Sequence, residues 1–470
     1  MNVFRMAWRN LWRSRRRTLI TIASVFFAVF FAVVMRSLQL GAYDHMFRNV
    51  IESYTGYVQI QDKDFADDRS VDNSFSDTPE LRQKIDSNDN VISSIPRFET
   101  FALASSGMLT KGVLVLGIDP VKEKMLSDVE ERLVRYRLTG SAIDSLEKFS
   151  LPSGIKEKLK MFAGNSWSST ASLLVDIGIP DKDSSVVLPL FRRFASFKNG
   201  YIKTGEAGAL VGDKLAVFLE AGIGDTIVLL GQGFHGSSAA GKYVIRGIVK
   251  LPSPELDNKI VYLPCDIAQS LCNAEGRLTS LALAIKKNDD NSINSLVAGL
   301  QSKLGPDLKV LGWREMNKLI INQMDADSKS GGVMIFILYL VIAFGVFGTV
   351  LMMTAERRRE FGVLVAVGMQ KTSLAAVFAT EMIYMGFLGI ISGVLASLPV
   401  LYYGHAHPVR FRGEMAKMYE DYGMEAVMPF LLPDTYVLWQ SLVVSVIVLI
   451  ALIYPMRKIS KMIVVNSLKA

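Results

Sequence analysis

The stretch ERRREFGVLVAVGMQKTS, residues 356–373, sets three consecutive arginines ahead of a short amphipathic segment with two glycines, and long apolar runs lie on both sides of it. It is too short and too charged to cross a bilayer, whose hydrocarbon core takes about 20 helical residues. The chain therefore leaves a membrane before Glu356 and re-enters it after Ser373. That reading decides the fold, because it makes the flanking runs a pair of membrane helices joined on one face of the bilayer.

Working outward, four apolar runs predict transmembrane helices at residues 18–35, 331–353, 374–401 and 437–454. The last is short, and Tyr436, Trp439 and Tyr454 supply the aromatic ends that suit the interfaces. Residues 1–17 hold six arginines and no acid. Residues 355–373 hold Arg357, Arg358, Arg359 and Lys371 against two glutamates, and residues 455–470 hold Arg457, Lys458, Lys461 and Lys469 against none. By the positive-inside rule all three segments are cytoplasmic. Residues 36–330 and the loop 402–436 are then outside. SRRRTL, from Ser14, resembles an export signal, yet no small-residue cleavage site follows, and an uncleaved first helix fits four spans.

Composition agrees. The 470 residues are 50% hydrophobic and 21% charged, a mixture that points to membrane helices plus a water-soluble domain. The chain carries +7, the three cytoplasmic segments together +12, and the remainder −5. The basicity is thus topological, and no basic face is left for nucleic acid.

Within residues 1–17, Phe4, Trp8, Leu11 and Trp12 fall on one helical face among the arginines, which predicts an interfacial amphipathic helix. Residues 36–330 alternate strands and helices, an α+β domain expected to form two subdomains and to end in a stalk helix leading into residue 331. Strands are expected around GYVQIQD and across residues 101–119 with a turn at Ser106 and Gly107. TPELRQKI, from Thr78, opens with a helix-capping signal. WREMNKLIINQMDADSKSGG, residues 313–332, reads as a continuous helix, with Gly331 and Gly332 as an alternative hinge.

Enzyme chemistry finds little support. The glycine-rich loop 231–241 lacks the GK[ST] ending of a phosphate cradle and reads as a hairpin, and no P-loop sequence occurs. His405 and His407 have no third ligand nearby in sequence, so no metal site is expected. Cys265 and Cys272 would lie about 10 Å apart on one helix, too far for a disulfide, and read as free thiols.

Small residues mark close helix approach: Ser24, Ala28 and Ala32 on the first span, Gly345 with Gly348 on the second, Gly389 with Gly393 on the third. Glu381 lies about two turns into its span, where an unpaired acid is costly, and a partner among Arg357, Arg358 and Arg359 is expected. At the outer ends of the first two spans, Val33, Val34, Met35 and Leu38 on one and Ile335, Phe336, Leu338 and Tyr339 on the other offer an apolar, lipid-facing cavity. Arg36 stands beside it, poised for a phosphate or an acid or simply snorkelling to the interface.

The opening stretch also carries a resemblance. Glu356, Arg357, Arg359, Glu360, Phe361, Gly362, Leu364, Ala366 and Gly368 match the pattern ER-x-REIG-x-LRA-x-GA of the FtsX-like permeases of the MacB and LolC/LolE type. Val365 departs from it where a basic residue is usual. TEMIYMGFLGIISG and the closing LIYPMRKISKMIVVNSLKA resemble the same family, as do GYVQIQDKDF, PRFETFALAS, VLVLGIDPVKE, ALVGDKLAVFLEAGIGDTIVLL and KIVYLPCDIAQSL. Between Glu123 and Gly205 the chain is longer than that family. The resemblance implies a non-catalytic permease subunit of a type VII ABC transporter in a bacterial inner membrane. It would work as a pair of permease protomers, identical or LolC/LolE-like, with a separate cytoplasmic ATPase dimer that holds Mg-ATP, and this chain would carry no cofactor. Glu356, Arg357, Arg358, Arg359, Glu360, Phe361, Gly362, Leu364, Val367, Gly368 and Lys371 would form the ATPase-coupling surface. The lipoprotein-releasing branch would hand its acylated cargo to a periplasmic carrier. MacB-like efflux and FtsX-like signalling to envelope enzymes are the alternatives.

Overall fold

The computed structural model describes residues 3–13, 15–149, 151, 153–411, 414–421 and 425–461. The last nine residues of the closing sequence, within the expected cytoplasmic tail 455–470, lie outside these. In chain order the principal elements are α1 (Val3–Arg13), α2 (Arg15–Val50), β1 (Val58–Asp62), α3 (Pro79–Asp86), β2 (Val91–Ser106), β3 (Leu109–Ile118), α4 (Gly140–Glu147), α5 (Ser153–Met161), α6 (Thr170–Ile177), α7 (Asp181–Phe194), β4 (Gly208–Gly212), α8 (Asp213–Phe218), β5 (Thr226–Gln232), β6 (Ser238–Val249), β7 (Ile260–Pro264), α9 (Cys265–Leu271), β8 (Ser280–Ile285), α10 (Asp290–Lys303), β9 (Leu308–Gly312), α11 (Lys318–Glu356), α12 (Arg358–Ala366), α13 (Lys371–Ala406) and α14 (Thr435–Ser460). They divide into two compact units. One comprises Met1–His45, Asn322–Arg410 and Val427–Ala470, the other Met46–Ile321 with Phe411–Ala426.

The first unit holds the four transmembrane helices, carried by α2, α11, α13 and α14. Each helix outruns its apolar run, because polar residues that the lipid would reject still have good helix propensity. The helix of the second span begins at Lys318 and continues unbroken through Gly331 and Gly332. The expected stalk is therefore interrupted once, at Asn317, and not at the glycines. In the third span Gly389 and Gly393 let α13 touch α2. A Cβ on Gly389 would stand 2.7 Å from that of Val25, and one on Gly393 would stand 2.8 Å from the Phe26 carbonyl oxygen.

The second unit is α+β. One edge of β2 is followed by β3 over residues 97–106, while the other is shared by β8 against residues 91–97 and by β5 against residues 102–105. The strand order β9-β1-β8-β2-β3-β7-β4-β6-β5, with β5 returning to β2, thus closes a six-stranded barrel and leaves β8, β1 and β9 as a side sheet. A 16-residue strand is long enough to serve both. The barrel encloses Phe98, Val115, Val211, Ile227, Ile245 and Val261. The side sheet packs on α3 and α10 through Ile60, Ile85, Leu283 and Leu300. Thr78 caps α3 by accepting from the Leu81 amide, and Gly107, at φ +58°, turns the β2–β3 hairpin.

The long segment between Glu123 and Gly205 is a helical module, α4 to α7, rather than loop. Thr139 and Ser169 cap α4 and α6, and Leu138, Leu146, Leu159, Trp167, Leu173, Ile177, Val187 and Phe191 form a core of its own. The first three helices of this module have only eight or nine residues each, too few to be stable alone, so packing on the shared core holds them. Cys265 and Cys272 are free, and burial pushes the Cys265 thiol up to about 12, so it is an inert packing residue.

Candidate coupling site

Arg357 breaks the helix between α11 and α12 and so forms a corner. Its φ of −88° and ψ of 2° end α11, and its carbonyl then accepts from the Phe361 amide at 2.9 Å to start α12. At the other end Gly368, at φ +104°, takes a conformation that a side chain would strain, and the chain turns into α13. A nine-residue helix held between two sharp turns is marginal alone, so its packing decides its orientation.

That packing sorts the residues of the opening stretch into two faces. Arg357, Phe361 and Gly362 are buried, and Phe361 meets Phe378 of α13 edge-on at 5.7 Å. Arg358, Arg359, Glu360, Val363, Leu364 and Val367 are exposed, as are Glu356 and Gly368, while Lys371 is half-buried. The sequence reading placed all its coupling residues on a docking surface. Arg357, Phe361 and Gly362 do not belong there: they fix the helix, and the outward patch is Val363, Leu364 and Val367 flanked by arginines.

Arg357 is the partner of Glu381. Its Nη1 donates to Glu381 Oε2, and both side chains are almost wholly buried. A buried carboxylate is tolerated when both oxygens are used, and the second is taken by an unexpected residue: Asn10 Nδ2 of α1 donates to Glu381 Oε1 at 2.6 Å. The α1 helix lies on α13, with Ala7 and Leu11 buried and Trp8 edge-on to Tyr384 at 5.8 Å. Arg13 adds an exposed ion pair to Glu360 at 3.5 Å. A cleft of about 120 Å³ remains between these elements, lined in part by Met6, Asn10, Arg357, Glu360 and Leu364. Asn10 stands between Arg9 and Leu11 with Arg13 one turn on, and nothing in that local pattern marks it as a partner for Glu381.

The expected lipid-facing cavity is only partly assembled. Val33 is fully buried in the core of the membrane unit, which removes it from any cavity. Val34, Leu38 and Tyr339 are half-buried against the same core, Ile335 and Leu338 are intermediate, and Met35 and Phe336 are exposed. Arg36 is engaged within the protein: it donates to Gln39 Oε1 at 2.7 Å, Gln39 Nε2 to the Tyr43 hydroxyl at 3.4 Å, and Tyr43 to Asp327 Oδ2 at 2.5 Å. Gly331 makes room for Gln39, whose Nε2 would lie 2.1 Å from an added Cβ. Among the small residues, Ala28, Ala32, Gly389 and Gly393 are buried and Ser24 is half-buried, its hydroxyl donating to the Ile20 carbonyl. Gly345 and Gly348 are exposed, and a Cβ there would meet nothing within 4 Å, so they pack against no helix among the described residues. Among the described residues no group of three metal-ligating side chains comes together, and His405 is used structurally, its Nδ1 lying 2.8 Å from the Phe430 carbonyl.

Residues 332–463, which contain this corner, match the family model described as FtsX-like permease C-terminal. This membrane segment is thus similar to the C-terminal part of FtsX-like permeases. The chain is 27% identical over 163 residues to an uncharacterized ABC transporter permease of Methanocaldococcus jannaschii, covering 33% of this chain and 39% of that one. It is 19% identical over 202 residues to the lipoprotein-releasing system transmembrane protein LolC of Xylella fastidiosa, covering 42% of this chain and 48% of that one. The chain thus spans less than half the length of these curated relatives in the matched regions. The periplasmic region of MacB from Actinobacillus actinomycetemcomitans aligns at a TM-score of 0.30 and 12% identity, over 59% of this chain and 98% of that structure. Glu381 falls within the residues of the family model, whereas α1, which contacts it, lies outside them.

Proposed function

We propose that this permease is the membrane subunit of an ABC transporter that extracts lipoproteins from a bacterial inner membrane and passes them to a periplasmic carrier. In this reading two permease protomers work with a separate ATPase dimer that supplies Mg-ATP, and the α12 corner is where that ATPase docks. The observation that carries the docking role is the outward face of α12. Val363, Leu364 and Val367 are exposed there between arginines, at a short helix too brief to span lipid and anchored from behind by Phe361 and Arg357. An apolar patch with a charged rim is the chemistry of a protein interface. The lipoprotein cargo is supported by the similarity to LolC and by the apolar side chains Met35 and Phe336 on the first two spans. Acyl chains gain about 0.8 kcal/mol per methylene in such a setting.

Leu364→Asp is the test of docking. A carboxylate forced into an apolar interface costs several kcal/mol, so ATPase co-purification should fall at least tenfold while the permease still inserts and folds. Undiminished association refutes the docking face. Cargo is tested by depletion: lipoproteins should accumulate in the inner membrane. Correct sorting together with loss of drug resistance would assign the permease to efflux instead.

A further inference from the structure

We propose that Glu381 is a positioning residue that locks the N-terminal helix α1 to the α12 corner, so that α1 moves with the docking segment instead of serving as a passive anchor. The inference rests on the reading that an ATPase docks at α12. Each carboxylate oxygen of Glu381 is committed to a different element, Oε2 to Arg357 at the corner and Oε1 to Asn10 on α1. Tilting α12 turns about Arg357, and Arg357 cannot shift without carrying Glu381 or leaving two buried charges unpaired, which is strongly unfavourable.

The surroundings favour motion of the trio as one body. Arg357 Nε has no hydrogen-bond partner among the described residues, although Glu360 Oε2 stands 3.8 Å away. Buried donors are normally satisfied, so an orphan beside a carboxylate marks a pair that can close further. The 120 Å³ cleft borders the same residues and gives α12 space to move, in contrast to the close packing of an ordinary interior. Arg13 to Glu360 repeats the link between α1 and α12 at the surface, where solvent weakens it. Two connections join the same pair of helices, one buried and directional, the other exposed and compliant.

The experiment uses the full permease with its ATPase in lipid nanodiscs, with an environment-sensitive fluorophore on a cysteine at Arg5 on α1 or at the exposed Ala366 on α12, outside the docking patch. In the wild-type background ATP should change both signals with the same nucleotide dependence. Glu381→Gln and, separately, Asn10→Ala should leave ATPase affinity and the α12 response intact while reducing the α1 response about fivefold or more, the lower end of ordinary site-to-site coupling. Asn10→Ala keeps the Arg357–Glu381 pair, so it remains informative even if Glu381→Gln folds poorly, and Glu381→Asp should restore part of the response. An α1 signal unchanged in both variants overturns the proposal. Normal ATPase binding with an α12 response but no α1 response in the wild type also overturns it and spares the docking reading, whereas failure of the ATPase to bind the wild type sinks both.

Discussion

The permease buries two arginine–glutamate pairs, one in each unit, and they are built differently. In the α+β unit Arg97 and Glu123 are wholly inaccessible. Arg97 donates from Nε to Glu123 Oε2 at 3.2 Å, from Nη2 to Oε1 and from Nη1 to the Tyr54 carbonyl, and Ser127 completes Glu123 at 2.5 Å. Every nitrogen of that guanidinium is occupied. Burial disfavours its charge, yet the facing Glu123 outweighs burial and holds the group above its ordinary range. In the membrane unit Arg357 engages Glu381 through one nitrogen, leaves Nε without an acceptor and borders a cleft. The same two residue types thus make a fixed clamp in one place and an adjustable joint in the other. The difference lies in how many donors are satisfied and whether there is room to move.

The largest expected effect breaks the clamp. Glu123→Gln or Arg97→Met leaves one buried charge without its partner and should cost about 3–5 kcal/mol, read as earlier thermal unfolding of the α+β unit in detergent-solubilised permease. Replacing both with apolar residues of similar volume should recover most of it. At the joint, Glu381→Gln should cost only about 1–2 kcal/mol, because Glu360 stands ready to take up Arg357 and the adjoining cleft limits strain. Equal losses at the two sites would mean that the joint is a clamp after all.

A second contrast separates packed from unpacked glycines within the membrane helices. Gly389→Val or Gly393→Val drives a side chain into Val25 or the Phe26 backbone of α2. Overpacking of this kind costs about 1–3 kcal/mol, and the shift in unfolding temperature measures it. Gly345→Ala and Gly348→Ala meet no atom of the described residues and should leave the isolated protomer unchanged within about 0.5 kcal/mol. A loss there of the same size in a purified monomer would show that the second span packs internally.

How much of this was legible follows from how each feature is encoded. The four spans, the capped helix at Thr78 and the hairpin turn at Gly107 are written locally, in apolar length, a hydroxyl before a helix and a residue that accepts positive φ. The partner of Glu381 was also legible, since three arginines lie within reach and a buried acid needs a cation. Which arginine it would be was not, because helix phase at a corner depends on where the helix breaks. Barrel closure was hidden: β2 pairs with β5 more than 120 residues later, and nothing in either strand announces so distant a neighbour. The contacts of Asn10 to Glu381 and of Tyr43 to Asp327 escaped for the same reason, since each bridges elements far apart in sequence.

A third buried carboxylate tests the comparison from the other side, because it makes no ion pair among the described residues. Asp257 accepts from the Asp213 amide at 3.2 Å, the Lys214 amide at 2.9 Å and the Leu251 amide at 2.9 Å, and so holds the first turn of α8. Asp213 itself pairs with Arg137 and Ser166 of the inserted segment. Burial first, and then the charge of Asp213, push the Asp257 carboxyl up to about 7, against the pull of the Leu251 and Lys214 amides and of Lys250. The folded protein therefore binds a proton that the unfolded chain releases above the ordinary aspartate range near 3.9. Stability from this group is full below that range and is lost as pH rises through about 7. Acidifying from pH 8 to pH 6 should accordingly stabilise the α+β unit by about 1.4 kcal/mol, one proton's linkage across the folded midpoint. The measurement is urea unfolding of the full permease followed by the fluorescence of Trp167, with the other tryptophans replaced by phenylalanine. Asp257→Asn should flatten the pH slope and weaken the cap on α8. A slope that survives Asp257→Asn would place the titrating proton elsewhere and would make Asp257 an ionised cap, as firmly satisfied by amides as Glu123 is by Arg97.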